Sequence, residues 1–164
     1  MKKLFICMVL AMMAIGIDAQ TTWNVRVGGG YMETSFETWN GGDYCSDGVF
    51  GALLAVEANI PFKKIANRWT FSPSLLLSSD LGEIFEIVAP LQIGHKVAMT
   101  RGSLFFPKFG VAVGAEIGGA ETLIVGPSAE LAFEIKHFVF AINSYYGLNE
   151  PSRISAFASV GYKF

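Results

Sequence analysis

From Arg153 to Phe164 the chain alternates without a break. Ile154, Ala156, Ala158, Val160, Tyr162 and Phe164 fall on one side of an extended segment, and Arg153, Ser155, Phe157, Ser159, Gly161 and Lys163 on the other. Successive side chains of a strand point to opposite faces, so one face here is wholly apolar, while small, polar and charged residues share the other with Phe157 as the exception. An unbroken apolar row backed by a sparsely charged one fits a strand that meets hydrocarbon on one side and an enclosed interior on the other.

The front of the chain reads as an export signal. Met1-Lys2-Lys3 is a short basic start, and Leu4 to Ile17 is an apolar run too short and wrongly flanked for a spanning helix. Cleavage is expected after Ala19, with Ile17 and Ala19 at the positions the peptidase reads. Residues 1–19 are then a removed signal and residues 20–164 the mature domain. Cys7 lacks the small residues that precede a lipidated cysteine, so a lipoprotein is not expected. Cys45 is left alone in the mature chain, which excludes an intrachain disulfide and leaves an idle loop thiol. A formal net charge of -2 argues against a nucleic-acid partner.

Hydrophobic residues make up 52% of the chain. Beyond the signal, no apolar run approaches the ~20 residues a membrane helix needs. High hydropathy without such a helix points to strands, and turn residues divide the sequence into eight extended segments near Trp23 to Tyr31, Val49 to Ile60, Trp69 to Ser79, Glu83 to Gly94, Ser103 to Gly118, Leu123 to Lys136, Phe138 to Gly147 and Arg153 to Phe164. In the fifth, Phe109, Val111, Val113, Ala115 and Ile117 oppose Lys108, Gly110, Ala112, Gly114 and Glu116. In the sixth, Val125, Ala129, Leu131, Phe133 and Ile135 oppose Gly126, Ser128, Glu130, Glu134 and Lys136.

A soluble barrel needs a densely polar outer face. Here the less apolar faces are mainly Gly, Ala and Ser with isolated charges, which suits a crowded interior. The expected fold is therefore all-β: an eight-stranded antiparallel up-and-down transmembrane barrel, closed because an open sheet edge cannot satisfy its backbone in lipid.

The links alternate in character. Long or acidic ones follow odd strands, at Met32 to Gly48, Asp80 to Gly82, Gly119 to Thr122 with Glu121, and Leu148 to Ser152 with Glu150. Basic ones follow even strands, at Pro61 to Arg68 with Lys63 and Lys64, His95 to Gly102 with Lys96 and Arg101, and Lys136-His137. Short turns inside and longer loops outside would put the first loop at the cell exterior and both termini in the periplasm. Trp23, Phe62, Trp69, Phe71, Phe105, Phe106, Phe138, Tyr162 and Phe164 then form one aromatic girdle, and Tyr31, Phe50, Phe85, Tyr145 and Tyr146 the other. Four prolines fall within strands. Pro73, Pro107 and Pro127 lie near strand beginnings, but Pro90 does not, and a bulge or a locally hydrated ladder is expected there.

With a signal, eight amphipathic strands, short turns and a terminal aromatic in place, the chain resembles the small outer-membrane β-barrel family of Gram-negative bacteria, to which OmpX-like and OmpA-like barrels belong. The resemblance covers the whole mature chain and is architectural. It implies a bacterial outer-membrane location, contact with membrane lipid and lipopolysaccharide, and delivery by the barrel-assembly machinery, with Val160, Tyr162 and Phe164 resembling the insertion signal that machinery reads. No peptidoglycan-binding domain is expected after the barrel, so the anchoring role of OmpA-like proteins is not carried over.

Arg26, Glu57, Glu86, Lys108, Glu116, Glu130, Glu134 and Arg153 are expected to point inward. An eight-stranded interior is just wide enough to be filled by side chains, and charges buried there have to pair. A lumen filled by polar side chains in a salt-bridge network is therefore expected, with a structural or surface-interaction role. The alternatives are a narrow channel or transporter for small solutes, and less readily a secreted ligand-binding barrel or a lipid A-modifying enzyme. Against catalysis, neither His95-Lys96-Val97 nor His137-Phe138-Val139 places a serine two residues from the histidine, and too few residues precede Trp23 for the helix an acyltransferase of this type carries. No cofactor is expected. Asp43 and Asp47 lack the alternating ligands of a calcium loop, so no metal is expected either. The Trp39-Asn40-Gly41-Gly42-Asp43-Tyr44 stretch within the 32–48 loop is the candidate surface for an extracellular partner.

Overall fold

Alternation sets the architecture strand by strand. The computed structural model describes residues 21–37, 44–62, 68–82, 84–100, 102–118, 123–148 and 152–164; the signal segment, Gln20, the 38–43 loop tip, and Lys63, Lys64, Glu83, Arg101, Glu121 and Glu150 lie outside the described residues. Nine β-strands follow in order: β1 Thr22–Glu37, β2 Tyr44–Pro61, β3 Trp69–Ser79, β4 Phe85–His95, β5 Val97–Thr100, β6 Ser103–Ile117, β7 Leu123–Ile135, β8 Phe138–Gly147 and β9 Arg153–Lys163. β7 alternates exposed and buried positions along nearly its whole length, as β8 and β9 do. Val111, Val113, Leu131, Ile142 and Val160 are among the apolar side chains on the outside.

All pairings are antiparallel between sequence neighbours, and β1 with β9 closes the ring. β5 is the continuation of β4, since Gly94 opposite Lys108 and Val97 opposite Phe105 share one register against β6. The result is a closed eight-stranded up-and-down barrel. Its stagger follows from the registers. Stepping from Thr22 through Asn59, Ser72, Gln92, Gly110, Ser128, Tyr145 and Ser155, with the β2–β3 register carried across the gap between Glu57–Ser74 and Ile60–Phe71, the circuit returns to β1 at Met32, a displacement of 10 residues (32 minus 22). Stagger of this kind requires tilted strands, typically ~35–45° to the barrel axis.

We call the end where β1 begins and β9 finishes the base and the opposite end the rim. At the rim, β1 and β2 stay paired from Met32 opposite Val49 to Glu37 opposite Tyr44, so most of the link expected at Met32 to Gly48 is instead a two-stranded extension of the hairpin. Glu33 ties it down by accepting a hydrogen bond from the Ile154 amide at 2.9 Å.

The prolines open the ladder without shifting it. No bulge accompanies Pro90, which stays in register opposite Ala112. Pairing of β4 with β3 lapses instead between Pro73–Leu91 and Leu76–Val88, the stretch that holds Pro90. Pro107 explains the β4–β5 break in the same way. It lies opposite the missing pairs, and the Lys96 amide turns away to the Arg68 carbonyl at 2.8 Å. Two aromatics also differ from expectation. Phe106 and Tyr145 belong to neither girdle, because both are fully inside the lumen.

Gly161 is fixed by close approach at the β1–β9 seam. A Cβ there would lie 2.0 Å from the Val25 carbonyl oxygen and 2.6 Å from the Arg26 Cγ. Gly161→Val should destabilise the barrel by ~2 kcal/mol or more in urea unfolding, whereas Ala158→Val, on the outer face of the same strand, should change stability little.

Candidate functional site

The eight inward charges come from six strands, and the barrel brings them into three tiers. Each of the eight is buried. At mid-height, Arg26 of β1, Glu57 of β2, Lys108 of β6 and Glu130 of β7 form a closed ring. Arg26 Nη2 donates to Glu57 Oε2 at 2.9 Å and to Glu130 Oε2 at 2.8 Å, while Lys108 Nζ donates to Glu57 Oε1 and Glu130 Oε1, both at 2.5 Å. All four carboxylate oxygens of the pair accept from a cation, and two cations balance two anions. Asn24 adds a further bond to Glu57 at 3.1 Å.

The rim tier joins Glu86, Glu116 and Arg153. Arg153 Nη1 lies 2.5 Å from Glu116 Oε2 and 3.9 Å from Glu86 Oε1. Tyr145 and Ser78 both donate to Glu86 Oε2. At the base, Glu134 takes Lys163 at 2.5 Å and Lys96 at 3.8 Å.

Space for these long side chains is made by glycine. On one flanking strand Arg26 lies opposite Gly161, Lys108 opposite Gly94 and Arg153 opposite Gly147. A Cβ at Gly94 would lie 2.6 Å from the Lys108 Cγ, and one at Gly147 would lie 3.1 Å from the Arg153 Cγ. Small residues on the inner face are therefore the counterpart of large charged ones across the ladder.

An apolar layer separates the middle ring from the rim, and sequence reading missed it. Leu53, Leu76, Val88, Ala112 and Phe157 form one buried cluster with Tyr145, so the lumen is not filled by polar side chains alone. Phe157 faces Asn143, the cross-strand partner of Glu130, on the ring side. It also stacks on Tyr145, with ring centres 6.3 Å apart, toward the rim. On the other side of the ring, Phe106 sits between two cations, its centroid 4.6 Å from Lys108 Nζ and 5.0 Å from Lys96 Nζ. The anomaly of Phe157 on an otherwise polar face was the one sequence signal for this layer.

The remaining candidates lie apart from the lumen. Val160, Tyr162 and Phe164 point outward, and Tyr162 packs edge-on against Phe138 and Phe164. His137 stacks on Tyr162 and His95 lies against Trp69, both at the base. Among the described residues no group of three or more His, Cys, Asp or Glu side chains is placed to hold a metal.

No protein-family model matches the sequence, and no curated protein sequence matches it. Solved structures do match in shape. Neisserial surface protein A superposes with a TM-score of 0.65 at 8% identity, over 87% of this chain and 95% of that one. The N-terminal β-barrel domain of Pseudomonas aeruginosa OprF gives 0.51 at 13%, over 86% and 97%. Ail, the attachment invasion locus protein of Yersinia pestis, gives 0.50 at 11%, over 87% and 98%. The fold is that of small eight-stranded outer-membrane barrels.

The closed ring has a direct thermodynamic test. Lys108→Met leaves Glu57 and Glu130 sharing a single cation inside the barrel and should cost ~3–5 kcal/mol in urea unfolding. Adding Glu130→Gln restores one cation to one anion and should recover part of that loss.

Proposed function

We propose that the chain is a bacterial outer-membrane surface protein whose barrel is a closed scaffold, with its function carried by the rim and not by passage through the lumen. One observation supports this most strongly: a neutral ring of four paired charges is stacked against an apolar layer, with Phe106 on its other side. An ion crossing it would have to break charge-assisted bonds and then shed its water at Leu76, Val88 and Phe157. The outward apolar rows support a place in a bilayer, and the terminal aromatic strand supports insertion as a barrel. On this reading the basic base faces the periplasm, and the β1–β2 hairpin projects from the cell. Two of the similar structures are named for surface and attachment roles, in keeping with an exposed hairpin that meets a partner.

A narrow channel is the second reading, and a specific feature favours it. Gln92 Oε1, Ser74 Oγ and both amide heteroatoms of Asn143 are buried without a protein hydrogen-bond partner. Buried polar atoms of this kind are commonly met by internal water. Local hydration on the base side of the apolar layer does not by itself make a path.

Electrophoresis and conductance separate the readings. Unheated protein should migrate differently from boiled protein, as a closed membrane barrel does, and planar bilayers containing it should show no reproducible unitary conductance. Steady unitary currents abolished by Glu116→Gln or Glu130→Gln would favour the channel. Deleting residues 33–48 should leave the heat-dependent migration intact while removing surface binding.

A further inference from the structure

The base of the lumen opens into a vestibule of about 390 Å³ whose polar wall includes Thr100, Ser103, Lys136 and Lys163. It ends blind. Leu104 lines it, and Phe106, the next inward residue of β6, is fully buried above it beneath the ammonium of Lys108. A mouth that leads nowhere is suited to holding something.

Its charge is unbalanced. Glu134, on the floor, has its two carboxylate oxygens occupied by Lys163 and Lys96. Lys136 is exposed on the wall, and among the described residues no carboxylate pairs with it. Two ammoniums thus share one carboxylate and Lys136 adds a third positive charge to the wall; the two are more than three-quarters buried, with side-chain exposures of 18% for Lys96 and 19% for Lys163. Partly desolvated like charges repel one another and attract an anion more strongly than free surface lysines do.

The wall is also built before any ligand arrives. Lys136 adopts a left-handed φ of 53° in the β7–β8 turn, and its amide donates to the Gly102 carbonyl at 3.1 Å, tying that turn to the β5–β6 turn. The Thr100 and Ser103 hydroxyls are hydrogen-bonded to each other. Two ammoniums and two hydroxyls on a fixed wall offer several donors to a group with several acceptor oxygens.

We propose that this vestibule binds a phosphate-bearing anion, with Lys136 and Lys163 as its charged contacts and Thr100 and Ser103 as hydroxyl contacts. The same chemistry is presented by free phosphate and by the headgroup of an anionic phospholipid. Glu134 tunes the site by holding part of the positive charge in reserve. The proposal does not rest on whether the lumen conducts.

The test uses the full mature protein in dodecyl maltoside, a detergent without phosphate, with the backbone amide resonances of Gly102 and Lys136 as readout. Inorganic phosphate should give saturable shifts that chloride at equal ionic strength does not. Lys136→Gln and Lys163→Gln should each weaken binding about fivefold, and Glu134→Gln should tighten it, which a merely structural role for Glu134 would not produce. If phosphate gives no saturation but a soluble short-chain phosphatidylglycerol does, with the phosphatidylcholine counterpart silent and the same pattern among the variants, the source is a lipid headgroup. Lys136 is on an exposed turn, so its variant keeps the test valid should Lys163→Gln fail to fold. Shifts with neither probe, or shifts equal in all variants, overturn the proposal.

Discussion

An open sheet edge leaves a row of backbone donors and acceptors unpaired, and the closed ladder that removes this edge governs the rest of the molecule. Closure turns one face of every strand outward and the other toward a narrow interior. The outward face can then be apolar throughout, as it is from Ile154 to Phe164. Every charge on the inward face has to find its opposite across the lumen. The lapses at Pro73, Pro90 and Pro107 show how far the rule bends: individual ladder bonds are missing, yet register is kept because the partners on either side stay aligned.

Stagger is what makes the charges meet. Arg26 and Glu130 are 104 positions apart in sequence and bonded at 2.8 Å. They reach one level because the pairing registers around the barrel add up to the displacement that brings Thr22 round to Met32. The same displacement lifts Glu86, Glu116 and Arg153 to the rim and drops Glu134 beside Lys96 and Lys163 at the base. Polar tiers alternate with apolar material, first Phe106 and then the Leu76, Val88 and Phe157 layer, so the interior is stratified. Glycines opposite Arg26, Lys108 and Arg153 complete the fit by leaving room where a cation crosses.

Which face a residue occupies was legible in the sequence, because a period of two needs only local information. That is why the fold and the inward direction of Glu116 or Glu130 could be read directly. Which tier a charge joins was not, since tier depends on eight registers taken together. The same limit hid the apolar layer. Leu76 and Val88 look like ordinary strand residues until pairing places them beside Phe157. Tyr145 and Phe106 read as girdle residues because they fall near strand ends, but each adjoins another aromatic, in Tyr145-Tyr146 and Phe105-Phe106, and in such a pair only one ring can face outward. The 32–48 link reads as loop because acidic residues and glycines crowd it, although the backbone there remains paired as far as Glu37 opposite Tyr44.

That the outward face meets acyl chains is the central claim, and single cysteines introduced at Val111, Val113, Leu131 and Phe133 in a Cys45→Ser background test it most directly. In protein reconstituted into a bilayer, all four should react slowly with a membrane-impermeant, water-borne maleimide and rapidly once the barrel is unfolded. Fast modification of all four in the folded, membrane-embedded protein would contradict it.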